Sequence, residues 1–266
     1  MNQFIHINSS PDNLKPYSFS LVMPVYYEGP RVIPVIMTLI YTAKYPFELI
    51  LVYDKSDDPT IVEAKRLCEK YSNIKLICND NPPGVISAIK TGIKHSSSEN
   101  IAVWCAYHVD PYGMLNKMYE LILAGCDVVS ANRFMKVKRY NRGGLVKKIL
   151  SRTGNFILWK LVGSPFGDTT TSIKMYRKSF LKDNPIETAR AGGWALSLEL
   201  SIKASIGGYK LGEIILIPSN INLIQGLSNF KVFKFLPYYF KWVLFGLRNR
   251  KKIAKNKLFK RIEVTD

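Results

Sequence analysis

The chain has 266 residues, 47% of them hydrophobic, and a formal net charge of +18. This hydrophobic fraction excludes a chain that is disordered throughout, and the length favours one domain or two. The positive charge requires an anionic partner, for which nucleic acid, an anionic membrane face and phosphorylated substrates are the candidates.

The cysteines, the N-terminus and the apolar runs exclude further classes. The four cysteines form no C-x-x-C pair, so a zinc site has no support and a reducing compartment is favoured. The N-terminus is polar and lacks the basic-then-apolar pattern of a secretory signal. The longest apolar candidate, Phe235 to Leu247, is interrupted by Pro237 and Lys241 and is too short to span a bilayer. We therefore expect a cytoplasmic protein.

Apolar periodicity predicts alternating strands and helices in the first half of the chain. The predicted strands are Ser18–Pro24, Phe47–Tyr53, Ile74–Cys78, Ile101–Ala106 and Asp127–Ser130. The predicted helices are Arg31–Lys44, Ile61–Tyr71, Val85–Lys94 and Pro111–Ala124. Such alternation predicts an α/β fold with a mostly parallel central sheet and helices on both faces. Ligands of such sheets bind beyond the carboxyl ends of the strands.

The alternation breaks after Asn132, where a basic loop follows at Lys136 to Arg142. The later predicted elements are a helix at Leu145–Leu161, a strand around Met175, a helix at Trp194–Ser205 and a strand at Tyr209–Ile217. No repeat or low-complexity linker separates them. We expect an N-terminal extension (1–17), one domain (18–230) and a basic tail (231–266).

Polar side chains follow three predicted strands at their carboxyl ends, in Pro24–Glu28, Asp54–Asp58 and Tyr107–Asp110. Carboxylates at this edge of a parallel sheet can bind a base, a ribose or a divalent metal. Asp and Ser also cap helices, and for Asp57 and Asp58 alone capping is the preferred interpretation. Three polar strand ends together favour a nucleotide site.

An ordered series of motifs resembles that of the family 2 glycosyltransferases. Val22–Glu28 (VMPVYYE) is similar to the family's I-P-V-Y-N-E opening, and Val52–Thr60 (VYDKSDDPT) to its V-D-D-x-S-x-D-x-T segment. The later matches are Gly84–Gly92, Ser130–Arg133, Ser151–Asn155, Asp168–Lys174, Glu199–Leu200 and Gly226–Lys231. Each motif alone is weak, but their order over about residues 18–240 is specific. The branch that the chain most resembles is the dolichol- and polyprenyl-phosphate sugar synthases.

The resemblance implies a GT-A fold, which is Rossmann-like, and an inverting glycosyltransferase. Its donor would be a nucleotide-diphosphate sugar, and its acceptor a membrane-associated polyprenyl phosphate. Transfer to a hydroxyl of a glycan or lipid-linked oligosaccharide is one alternative, and a non-catalytic nucleotide-sugar-binding homologue is another. A nucleic-acid-binding module is suggested by charge alone and lacks a recognisable motif, so no nucleic-acid partner is expected.

In the family, the first two strand ends hold the nucleotide, which assigns this role here to Pro24, Tyr26, Glu28, Asp54 and Gly84. The chemistry agrees, because an aromatic ring can cover a base and carboxylates accept hydrogen bonds from base N–H groups and ribose hydroxyls. Glu28 has an alternative role as a solvated acid at a helix start.

The chain departs from the family at the fourth strand end, where the family has Asp-x-Asp to bind Mg²⁺ or Mn²⁺. The corresponding stretch here is CAYHVDP, which leaves His108 and Asp110 as candidate metal ligands. One Asp and one His form a poorer Mg²⁺ site and shift the preference toward Mn²⁺. In the alternative, His108 hydrogen-bonds a loop and Asp110 caps the helix that begins with Pro111.

Several residues fall where the family binds phosphate groups and the acceptor. The cations are Arg133, Lys148, Arg152 and Lys174, and the acceptor side adds Glu199 and Ser228. Arg133, directly at a strand end, is the best phosphate candidate and, with Asp168, a candidate catalytic residue. Asp168 would be the general base for an acceptor hydroxyl. A phosphate acceptor is already anionic, and Asp168 would then orient loops or cations. Trp194 is a candidate acceptor wall or a core residue.

The tail carries 11 Lys and Arg and no acidic residue between Lys231 and Arg261. Aromatic residues are interspersed with these cations, and basic helices with aromatic faces lie in the membrane interface. The alternative is a helix packed on the core with a solvated basic end, and both can hold for different parts of the tail. The expected location is peripheral, at the inner face of a membrane.

Overall fold

The computed structural model describes residues 17–135, 145–217, 232–255 and 259–262. The strands in these ranges are β1 (Phe19–Pro24), β2 (Phe47–Tyr53), β3 (Ile74–Cys78), β4 (Asn100–Val103), β5 (Val128–Asn132), β6 (Lys174–Arg177), β7 (Leu211–Ile215) and β8 (Phe259–Ile262). They form one sheet in the order β3-β2-β1-β4-β6-β5-β7-β8. Strand β6 is antiparallel to both of its neighbours, and the other pairs are parallel.

Helices alternate with the strands. They are α1 (Val32–Thr42), α2 (Thr60–Lys70), α3 (Val85–Lys94), α4 (Met114–Leu123), α5 (Leu145–Ile157), α6 (Lys178–Asp183), α7 (Ala195–Ile206), α8 (Val232–Arg248) and α9 (Arg250–Lys255). One turn of π-helix, Leu158–Val162, follows α5. The predicted mostly parallel sheet is confirmed.

Two apolar cores cover the two faces of the sheet. Phe19, Leu21 and Met23 of β1 belong to the core that includes α1 and α4, whereas Val22 belongs to the core that includes α3 and α7. Successive side chains of a strand point to opposite faces, so this division follows from the continuous apolar run of β1. The sheet is therefore buried on both faces, and its strand ends are left to bind ligands.

The strand directions gather several loops at one edge of the sheet. Parallel strands β1, β2, β4 and β5 all end there. Strand β6 runs in the opposite direction, so it begins at this edge with Lys174, and the segment that precedes it also lies there. This reversal explains how Asp168, far from the first strands in sequence, reaches the same edge.

The tail joins the core in its described part. Trp242 of α8 is 2% exposed and packs among Leu158, Val162, Leu198 and Ile202. Strand β8 pairs in parallel with β7. Other apolar side chains of α8, Leu236, Phe240 and Phe245, are exposed. The boundary expected near residue 230 lies outside the described residues, so it stays a prediction. In the described part of the tail, β8 extends the sheet and Trp242 completes a core. None of the helices within the described ranges combines the length and apolarity that crossing a bilayer requires.

Some boundaries differ from the prediction for local reasons. Helix α4 begins at Met114 rather than at Pro111, because Gly113 adopts a left-handed conformation (φ 65°) immediately before it. Strand β4 ends at Val103, three residues before the predicted end. Elements α6 and β8 are not indicated by the sequence pattern, since runs of 6 and 4 residues are too short to display a period.

The burial of Trp242 predicts the contribution of α8 to stability. Trp242→Ala should lower the free energy of unfolding by about 3–5 kcal/mol, because it leaves a cavity in the core. Phe240→Ala, at a position that is 59% exposed on the same helix, is the control and should change it by about 0.5 kcal/mol or less. Urea unfolding followed by circular dichroism measures both, and equal losses would contradict the anchoring of α8 by Trp242.

Candidate functional site

The end of β1 presents one aromatic ring to solvent. Tyr26 is 54% exposed, and its ring meets the edge of Tyr27 at a centroid distance of 4.9 Å. Tyr27 has a φ of 55°, which is uncommon for a residue other than glycine. Its N–H donates to Asp58 Oδ2 (2.8 Å) and its hydroxyl to Asp57 Oδ2 (2.7 Å). The two aspartates therefore shape the loop that carries Tyr26.

Asp58 also serves the capping role preferred from sequence, because its Oδ1 accepts the N–H of Thr60 at the start of α2 (2.8 Å). The backbone N–H of Glu28 in turn donates to Thr60 Oγ1 (2.9 Å). The hydrogen bond to Asp57 raises the pKa of Tyr27 to about 12, so its hydroxyl remains a donor at neutral pH. The β1 loop and the start of α2 thus form one hydrogen-bonded unit.

Glu28 offers an unsatisfied acceptor at this edge. Its Oε2 atom is buried and accepts no hydrogen bond from the described residues. Burial raises the pKa of this carboxyl, and the nearby Arg31 opposes the shift. A buried acceptor without a partner destabilises the protein until a donor reaches it. An N–H or O–H group of a ligand would satisfy Glu28.

Asp54 links the ends of β2 and β3 to the start of α3. Its Oδ1 accepts from Asn79 Nδ2 (2.7 Å), and its Oδ2 accepts the N–H of Gly84 (2.9 Å). Pro24 stands opposite Val52 in the neighbouring strand, which places the β1 and β2 ends side by side. The five predicted nucleotide residues thus share one edge of the sheet, and their contacts with a nucleotide stay a prediction.

Arg133 and Asp168 form a two-point ion pair. Arg133 Nε lies 2.6 Å from Asp168 Oδ2, and Nη2 lies 2.8 Å from Oδ1. Asp168 is fully buried, whereas the Arg133 side chain is 24% exposed. Burial alone would raise the pKa of Asp168, but the Arg133 guanidinium holds it below its usual value. A carboxylate so stabilised is a poor proton acceptor, so the geometry favours the orienting role over that of a general base.

Asn155 and Thr170 complete this pair. Arg133 Nη2 also donates to Thr170 Oγ1 (2.8 Å), to which Asn155 Nδ2 donates as well (3.1 Å). Asn155 Oδ1 accepts the N–H of Thr169 (2.8 Å). Neither Asn155 nor Thr170 is among the predicted site residues, although both lie in motifs that match the family. Their positions within these motifs are the sequence signal that could have identified them.

Lys174 corrects one prediction. It is fully buried, and its Nζ donates to Ser130 Oγ (2.6 Å), so it does not reach the surface where a phosphate would bind. Burial lowers its pKa to about 7, although Asp168 and Glu213 favour the charged form. Glu213 accepts the N–H groups of Gly167 (2.9 Å) and Asp168 (3.1 Å). Lys174 and Glu213 therefore support the Asp168 loop from inside, and the charged residue within the apolar β7 was the sequence signal for Glu213.

Glu199 corrects a second prediction, that of a role on the acceptor side. It is fully buried and binds groups of the protein itself. Its oxygens accept the N–H groups of Glu187 (2.6 Å) and Thr188 (2.8 Å), and Lys203 Nζ lies 2.8 Å away. Trp194 is half-buried and packs against the cores on both faces of the sheet, which agrees with the interpretation of Trp194 as a core residue. Ser228 and the Lys148 side chain lie outside the part of the chain that the structure describes.

The predicted metal ligands do not fit a metal site. Asp110 is fully buried, and its two oxygens accept the N–H groups of Met114 (2.8 Å) and Leu115 (3.0 Å), which is the capping alternative. His108 is buried beside Trp104, with ring centroids 5.6 Å apart. Within the described ranges, no three His, Cys, Asp or Glu side chains are grouped to hold an ion. A metal at Asp110 would displace two hydrogen bonds that begin α4.

Cys105 connects the two halves of the site. It is buried, and its Sγ lies 2.8 Å from Ser172 Oγ. Burial raises the pKa of this thiol, while the positive charge of Arg133 lowers it and the negative charge of Glu28 raises it. Both Glu28 and Arg133 therefore lie in the neighbourhood of Cys105. The sequence does not single out Cys105, since a buried cysteine looks like any small apolar residue.

A pocket of about 390 Å³ opens beside the Arg133–Asp168 pair. Its lining is Phe134, Arg152, Asn155, Phe156, Trp159, Pro165 and Gly167. Asn155 belongs to both the pocket and the ion-pair cluster. Arg152 is exposed, as are the rings of Phe156 and Trp159. The pocket therefore combines an aromatic surface with one cation, Arg152.

Residues 20–184 match the model of the family described as glycosyl transferase family 2. The match covers more than half of the chain, so the chain belongs to glycosyl transferase family 2. The resemblance stated from the motifs is confirmed.

Two curated relatives show the branch to which the chain is similar. The dolichyl-phosphate hexose transferase of Haloferax volcanii is 28% identical over 169 residues, which cover 62% of this chain and 67% of the relative. The dolichol-phosphate mannosyltransferase of Pyrococcus furiosus is 24% identical over 206 residues, which cover 73% of this chain and 54% of the relative. The chain spans about half of the second relative's length.

The fold is that of a solved glycosyltransferase. Glucosyl-3-phosphoglycerate synthase from Mycobacterium tuberculosis, solved with uridine diphosphate, superposes with a TM-score of 0.65 at 16% identity. The alignment covers 85% of this chain and 80% of that one. Other structures of that synthase hold Mn²⁺ or Mg²⁺ with uridine diphosphate. The GT-A fold implied by the motifs is confirmed.

Lys174 predicts a particular pH dependence of stability. Because burial lowers its folded pKa to about 7, the folded residue loses its proton above that pH, whereas the unfolded residue keeps it up to about pH 10. The unfolded state then binds more protons, and the free energy of unfolding rises with pH. Between about pH 7 and 10, the parent should gain up to about 1.4 kcal/mol per pH unit relative to Lys174→Met.

The measurement is urea unfolding of both proteins at several pH values from about 6 to about 9. Lys160→Met is the control, because Lys160 is exposed and should leave the parent's slope unchanged. Parallel curves for the parent and Lys174→Met would contradict a depressed pKa at this lysine.

Proposed function

We propose that the chain is an inverting glycosyltransferase that moves a sugar from a nucleoside diphosphate to the phosphate of a membrane-associated polyprenyl lipid. The observation that carries this proposal is the Arg133–Asp168 pair (Nε–Oδ2 2.6 Å) and its position. On one side lies the edge with Tyr26, Glu28 and Asp54, and on the other lies the aromatic pocket with Arg152. The two relatives, whose names specify dolichyl or dolichol phosphate, support the acceptor class.

The donor occupies the ends of β1 and β2. Tyr26, exposed on its loop, covers the base, and Glu28 Oε2 accepts an N–H of the base or a ribose hydroxyl. Asp54 holds the Gly84 loop (2.9 Å) and retains lone pairs for a ribose hydroxyl. In the related synthase, uridine diphosphate is the bound nucleotide.

Arg133 stabilises the leaving diphosphate. As the bond from the sugar to the diphosphate breaks, negative charge grows on the leaving oxygen, and a fixed cation lowers the barrier most when it is already oriented. Asp168 provides that orientation through two hydrogen bonds, while part of the Arg133 side chain stays exposed. A divalent ion, as in the related synthase, would supply charge neutralisation when bound. His108 and Asp110 do not fit one, so Arg133 carries this role in the proposal.

The acceptor phosphate attacks the anomeric carbon from the pocket side. Its oxygen is already anionic, so the reaction requires no general base, which agrees with the lowered pKa of Asp168. The new bond forms opposite the leaving diphosphate, and the configuration at the anomeric carbon inverts. Arg152 binds the acceptor phosphate, while Phe156 and Trp159 contact the first isoprene units. A hydroxyl acceptor is disfavoured, because it would need a base.

The acceptor can be tested with polyprenyl phosphate and the matching polyprenol, offered with a panel of radiolabelled uridine- and guanosine-diphosphate sugars. We expect product from the phosphate and none from the alcohol. Arg152→Gln should raise KM for polyprenyl phosphate about tenfold, because a charge-assisted hydrogen bond contributes about 1.5–3 kcal/mol, and should leave KM for the donor unchanged.

Lys182→Gln is the control for this experiment, since Lys182 is an exposed lysine of α6. Transfer to the polyprenol or to a glycan hydroxyl alone would contradict the phosphate acceptor. Binding of the nucleotide sugar without turnover on any acceptor would favour the non-catalytic alternative.

The tail brings the protein to an anionic membrane at the cytoplasmic face in this proposal. Exposed Leu236, Phe240 and Phe245 of α8 offer apolar surface, and exposed cations lie on α8 and α9. Such a combination binds the lipid interface through apolar contact and charge attraction. Membrane attachment would keep the acceptor pocket next to its lipid substrate.

Sedimentation with vesicles tests this attachment. A variant with Arg248, Arg250, Lys251 and Lys252 all changed to Gln should bind phosphatidylserine vesicles at least tenfold more weakly, because each cation contributes about 1 kcal/mol near an anionic surface. The matched control changes four other exposed cations to Gln and should bind as the parent does. They lie on α2 and α3 and are Lys65, Arg66, Lys70 and Lys90. Equal binding by the tail variant and the parent would contradict an electrostatic anchor.

A further inference from the structure

The loop that joins α6 to α7 crosses the nucleotide edge of the sheet. It contains a short 3-10 turn, Arg190–Gly192, which packs against α3. The stem of Arg190 lies directly on Gly84, since a methyl group at Gly84 would stand 3.3 Å from Arg190 Cγ. Gly84 is the residue whose N–H is bound by Asp54 (2.9 Å). Arg190, Gly84 and Asp54 are therefore consecutive neighbours at this edge.

The positive charge of Arg190 has no partner among the described residues. Its side chain is exposed, and no hydrogen bond or ion pair with a described residue holds its guanidinium. Two other arginines near this edge, Arg31 and Arg133, do have partners within the described residues. Arg31 donates to the carbonyls of Glu28 (3.0 Å) and Tyr27 (3.1 Å), and Arg133 to Asp168 (2.6 Å). Arg190 is thus open to an anionic or aromatic ligand.

The loop that presents Arg190 is held from α7. Buried Glu199 accepts the N–H groups of Glu187 (2.6 Å) and Thr188 (2.8 Å), together with the Thr188 hydroxyl (2.5 Å). Trp242 Nε1 donates to the same hydroxyl oxygen (2.8 Å). A buried, charged acceptor with several backbone donors rigidifies a loop. The start of the loop is therefore fixed relative to the sheet.

Helix α8 holds the other end of the loop. A methyl group at Gly192 would stand 3.2 Å from the Tyr238 ring, and one at Gly193 would stand 2.9 Å from the Phe235 ring. Gly193 also has a φ of 56°, a backbone conformation that residues other than glycine rarely adopt. The backbone at Gly192 and Gly193 is thus in close contact with two aromatic rings of α8. Arg190 stands on a segment held from both sides, so the position of its stem on Gly84 is built into the fold.

From this geometry we infer that Arg190 binds the donor nucleotide, adding a cation from the α6–α7 loop to the wall formed by Asp54 and Gly84. A guanidinium can bind phosphate oxygens with two parallel hydrogen bonds or lie flat on a base. Both modes suit a nucleoside diphosphate at this edge. The inference rests on the proposed function, because it takes the ligand at this edge to be the donor nucleotide.

The test compares the parent, Arg190→Gln, Arg190→Lys and the control Arg66→Gln by titration calorimetry. The probes are uridine diphosphate, guanosine diphosphate and the two corresponding nucleosides. Arg66 is exposed on α2, so its variant should bind as the parent does. Arg190→Gln should weaken binding of the preferred diphosphate at least tenfold without changing the melting temperature.

The probes separate the two modes of contact, and either mode supports the inference. A loss confined to the diphosphate, partly restored in Arg190→Lys, identifies a phosphate contact. A loss shared by the nucleoside, and not restored by lysine, identifies stacking on the base. Equal affinities of the parent and Arg190→Gln would overturn the role of Arg190 and leave the proposed function standing. A parent that binds neither diphosphate would overturn both.

Discussion

The buried carboxylate of Asp168 is the constraint on which much of the site depends. A charge removed from water must be paired and hydrogen-bonded, or the folded state loses several kcal/mol of stability. Arg133 meets this requirement with two hydrogen bonds (2.6 and 2.8 Å). Asn155 and Thr170 satisfy the remaining groups, and Glu213 fixes the backbone of Gly167 and Asp168. The direction of the Arg133 guanidinium is therefore a consequence of burying Asp168.

The same constraint bears on the chemistry. A carboxylate that remains ionised beside a guanidinium is unsuited to remove a proton, whereas the guanidinium that it orients is suited to receive growing negative charge. In the proposed reaction, Asp168 therefore acts by orienting Arg133, and Arg133 stabilises the leaving group. The proposed acceptor is already ionised and needs no base, and the aromatic pocket beside Asn155 would receive its apolar part.

Sequence periodicity predicted the regular elements well because their burial is regular. Strands β2 and β3 and helix α3 begin and end at the predicted residues, and the polar strand ends lie at one edge of the sheet, as predicted. The errors arose where a motif position does not reveal burial. Lys174 and Glu199 occupy positions that match the family, but both are fully buried and bind other parts of the protein. A residue close in sequence to a binding loop can either contact the ligand or support the loop from inside the protein. Only the packing of its side chain distinguishes these two roles.

Arg190 was missed for the opposite reason. No motif marks it, and its place beside Gly84 arises from a loop that follows the sheet's reversed strand by many residues. The contacts that bring it there are made by Glu199, Phe235 and Tyr238, which lie on two different helices. Such a convergence of distant segments has no local signature in the amino-acid sequence, so it becomes visible only with the tertiary structure.

Strand β8 has a consequence for the integrity of the whole sheet. By pairing with β7 from Leu211↔Phe259 to Ile214↔Ile262, it occupies backbone groups that would otherwise form an open edge. An uncovered, apolar edge strand is a template on which other chains add, leading to aggregation. The strand that covers β7 has Lys260 and Arg261 in its sequence, and charged residues in an edge strand oppose pairing with other chains. The chain thus ends its sheet with a strand whose charge discourages self-association, which suits a protein that would be concentrated on a surface.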